Sequence, residues 1–168
     1  EIIIIDSSSS DIIKKALSKY DHLDNIIYRK VDRSYPGKAR NIGSKIAKGK
    51  ILAFIDSKTV PEDNWLEHSL NTLNDKNLDV VFGKTKYISI NKSQELFKTA
   101  IYGNSGHETV PGSLIKSEVF KRSNGFIDNV RTAEDIAWRF SLKDQEVKYS
   151  CPVRPNVFYY DIPDSFII

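Results

Sequence analysis

The chain has 168 residues, 40% of them hydrophobic and 28% charged, which is typical of one soluble globular domain. No apolar run approaches the ~18 residues of a membrane-spanning helix, and the single cysteine, Cys151, cannot form an internal disulfide. The formal charge of +3 is mild and compatible with phosphates or an anionic membrane surface. We therefore expect a cytoplasmic protein, free to associate with the inner face of a membrane, that binds no nucleic acid.

Strands and helices alternate along the first half of the chain. The β-branched run from Glu1 to Asp6 predicts a strand buried on both faces, and the spacing of Ser8 and Asp11 resembles a capping box for the helix that follows. Further strands are predicted over 25–31 and 51–55, and further helices over 37–48 and from about residue 63.

The second half contains less regular patterns. A strand is predicted over 79–83 with an alternating continuation over 84–90, followed by helices over 93–102, 117–123 and 134–143 and late strands over 146–150 and 156–160. The stretch Tyr102 to Gly112 is rich in Gly, Asn, Ser, His and Pro and predicts a mobile loop.

The alternation of strand and helix predicts an α/β fold of Rossmann type, with a mostly parallel, twisted sheet flanked by helices. A core strand in such a sheet usually follows earlier strands. We therefore expect one domain over residues 1–168 that lacks its first βα unit and is incomplete at its N-terminus.

Two predicted strands end in a carboxylate, Asp6 and Asp56. Ligands of open α/β sheets bind beyond the carboxyl ends of the strands, so both side chains are predicted to open into one cleft. The alternative is that each Asp only caps the next turn or helix.

Two helix starts carry charged side chains. Lys38 and Arg40 lie in the first turn of a predicted helix, where cations are unfavourable unless an anionic ligand such as phosphate binds there; a solvated basic face is the alternative. Glu134 and Asp135 begin another helix, where acids interact well with the helix dipole. A functional interpretation makes Asp135 a general base for a substrate hydroxyl.

Three segments together resemble the family 2 glycosyltransferases of the GT-A fold: EIIIIDSSSSD, GKARNIGSKIAKGKILAFIDSKTVPEDNWLE and GFIDNVRTAEDIAWRF. The resemblance extends from Glu1 to about Tyr160. Its most specific part is an Ala-Arg-Asn-x-Gly helix, then a buried strand ending in Asp, then Pro and Trp-Leu.

The resemblance implies an inverting, nucleotide-sugar-dependent glycosyltransferase. It implies that Asp6 binds the base of the donor, usually uracil, and that Asp135 is the catalytic base. The other residues implied to bind the donor are Arg40, Asn41, Asp56 and Lys58, and those implied to line the acceptor pocket are Gly112, Ser113 and Glu134. The expected partners are a nucleotide-sugar donor and a glycan or lipid-linked sugar acceptor.

Lys58 departs from the family pattern, because it occupies the second acid position of the Asp-x-Asp motif that Asp56 begins. An ammonium cannot be a metal ligand and is repelled by a divalent cation. Either Asp56 holds Mn²⁺ or Mg²⁺ with donor phosphates and water, or Lys58 neutralises the diphosphate itself and makes the metal weak or unnecessary. A lysine turned to solvent is the third possibility.

Two further departures concern the missing segments of the family pattern. The opening strand with its Pro-x-Tyr-Asn-type loop is absent, and so is the Gln/Arg-x-x-Arg-Trp motif of processive synthases. We therefore expect transfer of one or a few sugars. A degenerate GT-A domain that binds without catalysis remains open, as does another nucleotide-binding enzyme such as a nucleotidyltransferase.

Overall fold

The computed structural model describes residues 1–164. The strands are β1 (Ile2–Asp6), β2 (Ile26–Lys30), β3 (Ile51–Ala53), β4 (Thr59–Pro61), β5 (Val80–Tyr87), β6 (His107–Lys116), β7 (Tyr149–Ser150) and β8 (Val157–Tyr159). The helices are α1 (Ile12–Leu17), α2 (Pro36–Ile46), α3 (Trp65–Asp75), α4 (Lys92–Ile101), α5 (Ser117–Arg122) and α6 (Glu134–Asp144), and one 3₁₀ turn covers Ser18–Tyr20. The predicted α/β class is therefore confirmed.

The chain divides into two compact units. The first unit is formed by Glu1–Leu52 and Ser117–Leu142, and the second by Ala53–Lys116 and Lys143–Ile168. Each unit is thus built from two stretches that are far apart in the sequence. No helix of the described part is long and apolar enough to cross a membrane.

In the first unit, β1 and β2 pair in parallel, with Ile2 opposite Ile26 and Asp6 opposite Lys30. Helix α2 lies against β1 so closely that a Cβ added at Gly43 would be 3.4 Å from Ile5 Cγ1. The expectation of a strand buried on both faces is wrong, because Ile2 keeps 54% of its surface exposed and the next three isoleucines are half-buried.

An aromatic cluster forms the core of the first unit on the side of α5 and α6. The ring centroids of Phe126 and Trp138 lie 4.6 Å apart, and Phe120 is within 5.8 Å of both. All three side chains are buried. Tilted aromatic pairs at this spacing add about 0.5–1.5 kcal/mol each to the burial of apolar surface.

In the second unit, the strand order is β6, β5, β8 and β4, with β7 also beside β5. Strand β5 runs antiparallel to β6 and parallel to β7 and β8, and β4 is antiparallel to β8, so this sheet is mixed. Its core is a set of side chains with 2% exposure or less: Val80, Val81, Phe82, Val110, Leu114, Ile115, Val157 and Leu73 of α3.

Three local expectations require correction. Asp11 itself occupies the N-cap of α1 and its side chain makes no capping hydrogen bond, so Ser8 and Asp11 do not form a capping box. The strand predicted over 51–55 ends at Ala53, although Phe54 still exchanges backbone hydrogen bonds with residues 112 and 113. The segment predicted as a loop over 102–112 becomes strand from His107, because pairing with β5 outweighs its composition.

Gly83 lies at a register shift between β5 and β6, and a Cβ there would be 1.9 Å from the carbonyl oxygen of Pro111. Since the clash is with backbone, Gly83→Ala should lower the free energy of unfolding by about 3 kcal/mol. The matched control is Gly103→Ala, where nothing lies within 4 Å of the added Cβ and only the φ of +67° is unfavourable. That variant should lose about 1 kcal/mol in urea denaturation; equal losses would contradict this account of Gly83.

Candidate active site

Asp6 ends β1, and its carboxylate is held by hydrogen bonds from three neighbouring residues. It accepts hydrogen bonds from the Ser8 backbone amide at 2.8 Å, the Tyr28 hydroxyl at 2.8 Å and Lys30 Nζ at 3.0 Å, and its side chain is 4% exposed. The hydrogen bonds of Ser8, with those of Lys30 and Tyr28, outweigh the effect of burial and hold the pKa of Asp6 far below its ordinary value. Asp6 is therefore a fixed anion, available to accept a ligand N–H.

The two side chains that hold Asp6 come from β2. Burial, and then the Asp6 carboxylate, raise the pKa of Tyr28, so its hydroxyl remains a donor. Beside this group lies a surface depression lined by Ser7, Ser8, Ser9, Arg29, Lys30, Val31, Asp32 and Arg33. Three cationic side chains against one carboxylate in that lining favour an anionic ligand.

Arg40 and Glu134 form a buried ion pair in the first unit. Arg40 Nη1 donates to Glu134 Oε1 at 2.8 Å, and the two side chains are 11% and 6% exposed. Arg40 lies in α2 and Glu134 is the first residue of α6. The guanidinium also lies 5.3 Å from the centre of the Phe126 ring.

Asn41, the next residue of α2, bonds to the segment that precedes α6. Its Nδ2 donates to the Phe126 carbonyl at 2.8 Å and to Asp128 Oδ1 at 2.7 Å, and its Oδ1 accepts from the Phe126 amide at 2.9 Å. Donor binding by Arg40 and Asn41 stays a prediction. The hydrogen bonds described join them to Glu134, Phe126 and Asp128.

Asp135 lies in the first turn of α6, directly after the buried Glu134. Its carboxylate is 26% exposed and lies 3.9 Å from Arg139 Nη2, one turn further along the helix. The helix follows Ala133, whose φ of +68° is unusual for a residue with a side chain. The arrangement leaves a carboxylate with access to solvent on a well-anchored helix start, which suits a general base.

Asp56 and Lys58 of the second unit lie on one tight turn. Thr59 closes it, because its amide and hydroxyl donate to the Asp56 carbonyl at 3.0 and 2.8 Å. Lys58 does not point freely into solvent: it forms an ion pair with Asp161, and each side chain is 59% exposed. The hydrogen bond to Asp161 raises the pKa of Lys58, so the ammonium is charged at neutral pH.

Gly112 and Ser113, predicted to line the acceptor pocket, are buried within β6. The Ser113 hydroxyl is fully buried, accepting from the Gly83 amide at 2.9 Å and donating to the Thr109 carbonyl at 2.8 Å. The Gly112 carbonyl accepts from the Trp65 indole at 2.8 Å. An acceptor role for these two residues stays a prediction, and the contacts observed are structural.

The part of the chain described, residues 1–164, contains no group of three or more His, Cys, Asp or Glu side chains that could hold a metal ion. The charged side chains at this turn are Asp56, Lys58 and the Asp161 carboxylate that pairs with Lys58. Asp56 is the residue of this turn that would hold a divalent cation, and such an ion would supply positive charge to an anionic ligand.

The family "Glycosyl transferase family 2" matches residues 1–133 of the 168. The chain belongs to this family. The predicted family is thus confirmed.

Curated relatives are similar over most of the chain. Glycosyltransferase AglE of Haloferax volcanii is 28% identical over 131 residues, which cover 76% of this chain and 41% of the relative. The poly(ribitol-phosphate) beta-glucosyltransferase of Bacillus spizizenii is 29% identical over 175 residues, covering 95% of this chain and 27% of the relative. The chain therefore spans less than half the length of these relatives.

Solved structures confirm the GT-A fold. S. aureus TarS 1-349 in complex with UDP-GlcNAc aligns with a TM-score of 0.75 at 20% identity, covering 96% of this chain and 49% of that one. The same protein in complex with UDP aligns with a TM-score of 0.73 at 18% identity, over 95% and 51% of the two chains.

Several partners of the candidate residues were not predicted from the sequence. Tyr28 and Lys30 alternate along β2 opposite Ile4 and Asp6, so a predicted parallel pairing of the two strands could have indicated them. Asp161, the partner of Lys58, is 103 residues away and carries no local signal.

The lowered pKa of Asp6 makes stability depend on pH. A carboxyl group whose pKa is lower in the folded state stabilises the protein above its unfolded pKa of about 3.9, and this contribution is lost as pH falls toward the folded value. Asp6→Asn should therefore lower the melting temperature most near neutral pH, with the difference from the wild type narrowing below pH ~4. Asp24→Asn, at an exposed position, is the control and should change little; a pH-independent deficit in Asp6→Asn would contradict the assignment.

Proposed function

We propose that this chain is the donor-binding and catalytic part of an inverting glycosyltransferase. It moves a sugar from a nucleotide diphosphate donor, of the UDP-sugar type, to a hydroxyl of a glycan or lipid-linked acceptor. The observation that carries the proposal is the family match over residues 1–133, which includes Asp6, the Arg40–Asn41 pair and Asp56. The crystal structures of the similar TarS with UDP-GlcNAc and UDP support a uridine nucleotide as the donor's leaving group.

The family match runs through residues of both compact units, which supports one glycosyltransferase domain containing the two. A cytoplasmic location and contact with a membrane surface are proposed on the same ground as before, the mild positive charge and the lone cysteine. Transfer of one or a few sugars, rather than processive synthesis, remains part of the proposal.

In the first unit, Asp6 would accept a hydrogen bond from the nucleotide base. Its three protein donors keep the carboxylate ionised and immobile, so its acceptor lone pairs have a fixed direction. The cationic residues in the depression beside it, Arg29, Lys30 and Arg33, would offset the charge of an anionic donor. Ordering of these groups before the donor binds lowers the entropic cost of binding.

The transfer step needs a base and a stabilised leaving group. The acceptor oxygen attacks the anomeric carbon as the bond from that carbon to the diphosphate oxygen breaks, through an oxocarbenium-like transition state. The hydroxyl proton passes to the Asp135 carboxylate, and the nucleoside diphosphate leaves with the bonding electron pair. Because one displacement occurs, the configuration at the anomeric carbon inverts.

The developing charge on the leaving diphosphate requires a cation. Lys58 supplies one on the Asp56 turn, where its ion pair with the exposed Asp161 is of the weak surface type and can be exchanged for a phosphate. A divalent cation held by Asp56 and phosphate oxygens would supply additional charge neutralisation. Asp56, Lys58 and Asp161 together carry a formal charge of −1. How the diphosphate is bound therefore depends on how much positive charge Lys58 supplies and how much a divalent cation supplies.

Asp135→Asn keeps the shape of the side chain and removes its basicity. Turnover of the natural full-length protein should fall by about 10²–10⁴-fold, with the dissociation constant of UDP little changed. Asp144→Asn, near the other end of α6 and exposed, is the matched control and should retain activity. Full activity of Asp135→Asn in steady-state kinetics would exclude the proposed role.

Lys58→Asp rebuilds an Asp-x-Asp pair with Asp56. Because a carboxylate repels the diphosphate until a cation bridges them, this variant should bind UDP poorly in EDTA and regain affinity with Mn²⁺. The wild type should show a smaller metal effect, and Asp161→Asn, which releases Lys58 from its partner, should bind UDP more tightly in EDTA than the wild type. Titration calorimetry measures the UDP affinity of the three proteins in EDTA and with Mn²⁺. Equal metal dependence of that affinity in the wild type and Lys58→Asp would show that Lys58 does not contact the diphosphate.

A further inference from the structure

The segment 125–134, which ends one residue before Asp135, is attached to α2 by two consecutive side chains. The first is Arg40, whose guanidinium forms the ion pair with Glu134 at 2.8 Å. Both partners are almost fully buried, and a buried charge that lost its partner would be strongly unfavourable. The pair therefore fixes the residue directly before Asp135 at one place on α2.

The second attachment is the Asn41 amide. It bonds to the backbone amide and carbonyl of Phe126 and to the Asp128 carboxylate, at 2.7 to 2.9 Å. A planar amide that satisfies both backbone groups of one residue holds that residue in a fixed orientation, as a strand partner would. Phe126 is thereby held from α2 at a point eight residues before Glu134.

The approach of this segment to α2 is too close for any side chain at two positions. A Cβ at Gly37 would lie 2.5 Å from the Ile127 carbonyl oxygen, and one at Gly125, where φ is +67°, would lie 2.5 Å from Asn41 Oδ1. Both positions require glycine, because the clashing atoms belong to backbone or to a side chain already fixed by three hydrogen bonds.

The segment is also fixed on its other side, by α6 itself. The Phe126 ring packs on Trp138 of α6 with centroids 4.6 Å apart, and the Trp138 indole donates to the Ser123 hydroxyl at 3.1 Å. Helix α2, the segment and the first turns of α6 thus form one connected group of contacts. In that group Asp135 is the partly exposed carboxylate directly after the fixed Glu134.

We propose that Arg40 and Asn41 are positioning residues for the Asp135 carboxylate, not groups that bind the donor. The inference rests on the proposed role of Asp135 as the base. Arg40 Nη1 bonds to Glu134, and both polar atoms of the Asn41 amide bond to Phe126 or Asp128. A displacement of about 1 Å of a reacting group can cost about 10²-fold in rate, so these contacts act on turnover and not on donor affinity.

The test uses Asn41→Asp, which has nearly the same shape. The new carboxylate still accepts from the Phe126 amide, but it no longer donates to the Phe126 carbonyl and it faces the Asp128 carboxylate. In the natural full-length protein, assayed with the most active of a panel of UDP-sugars, kcat should fall at least 10-fold. The donor KM and the UDP dissociation constant should stay within twofold.

The matched rescue is Asn41→Asp with Asp128→Asn, in which position 128 donates to the new carboxylate and the charge repulsion is gone. It should recover at least half of the lost kcat. Lys45→Met, exposed near the end of α2, is the control and should be unchanged. Arg40→Lys and Glu134→Gln are the second pair of variants and should also lower kcat without raising the UDP dissociation constant.

Three results overturn the proposal: a higher UDP dissociation constant with kcat unchanged at saturating donor, a lack of rescue by the Asp128→Asn exchange, or unchanged protection of the segment. That protection is measured by backbone amide hydrogen exchange over residues 125–135, which should speed up in Asn41→Asp and slow again in the double variant. The exchange measurement needs no turnover. If the wild type transfers no sugar at all, the proposed function fails, while the exchange result still decides whether Asn41 holds this segment.

Discussion

The first unit depends on the contact between α2 and the chain that enters α6. This unit is assembled from Glu1–Leu52 and Ser117–Leu142, so its two stretches meet only after Ala53–Lys116 of the second unit has been synthesised between them. Joining such distant stretches costs chain entropy, which packing and polar contacts at the junction must offset. The buried Arg40–Glu134 pair and the Asn41 amide, with the aromatic cluster beside them, supply those contacts.

A buried ion pair adds little net stability over an apolar pair of the same shape, but it penalises every arrangement that separates the two charges. Loss of one partner of such a pair typically costs about 3–5 kcal/mol. The Arg40–Glu134 pair therefore acts mainly by fixing the position of α6 on α2 rather than by adding stability. The contacts of Arg40 and Asn41 that join the two stretches of this unit also fix the position of Asp135. The same residues therefore serve folding and the proposed chemistry.

The charge pair described in the second unit is exposed, unlike the buried Arg40–Glu134 pair of the first. The mixed sheet of the second unit carries the Asp56 turn between β3 and β4, and there an exposed lysine and an exposed aspartate, far apart in sequence, neutralise one another. Such a surface pair contributes little to stability and is easily exchanged. A charge pair of this kind can hold a cation ready for an anionic ligand without the desolvation cost of burying it.

Much of the fold could be predicted because it follows from local patterns. The apolar runs and helical periodicity gave β1, β2, α2 and α6 to within a few residues, and the strand-end carboxylates Asp6 and Asp56 were visible in the sequence. What escaped prediction depends on contacts between distant residues: Lys58 with Asp161, Asn41 with Asp128, and the pairing that turns 107–112 into strand. No periodicity encodes such contacts, because each partner looks like an ordinary polar residue in its own segment.

The proposed transfer is a single displacement at the anomeric carbon, with Asp135 taking the proton. It is tested by the anomeric configuration of the sugar in the first product that the natural full-length protein forms from an α-linked UDP-sugar, read by proton NMR before further transfer. A single displacement gives a β-linked product. An α-linked product would contradict it, because retention requires either two displacements or a different face of attack.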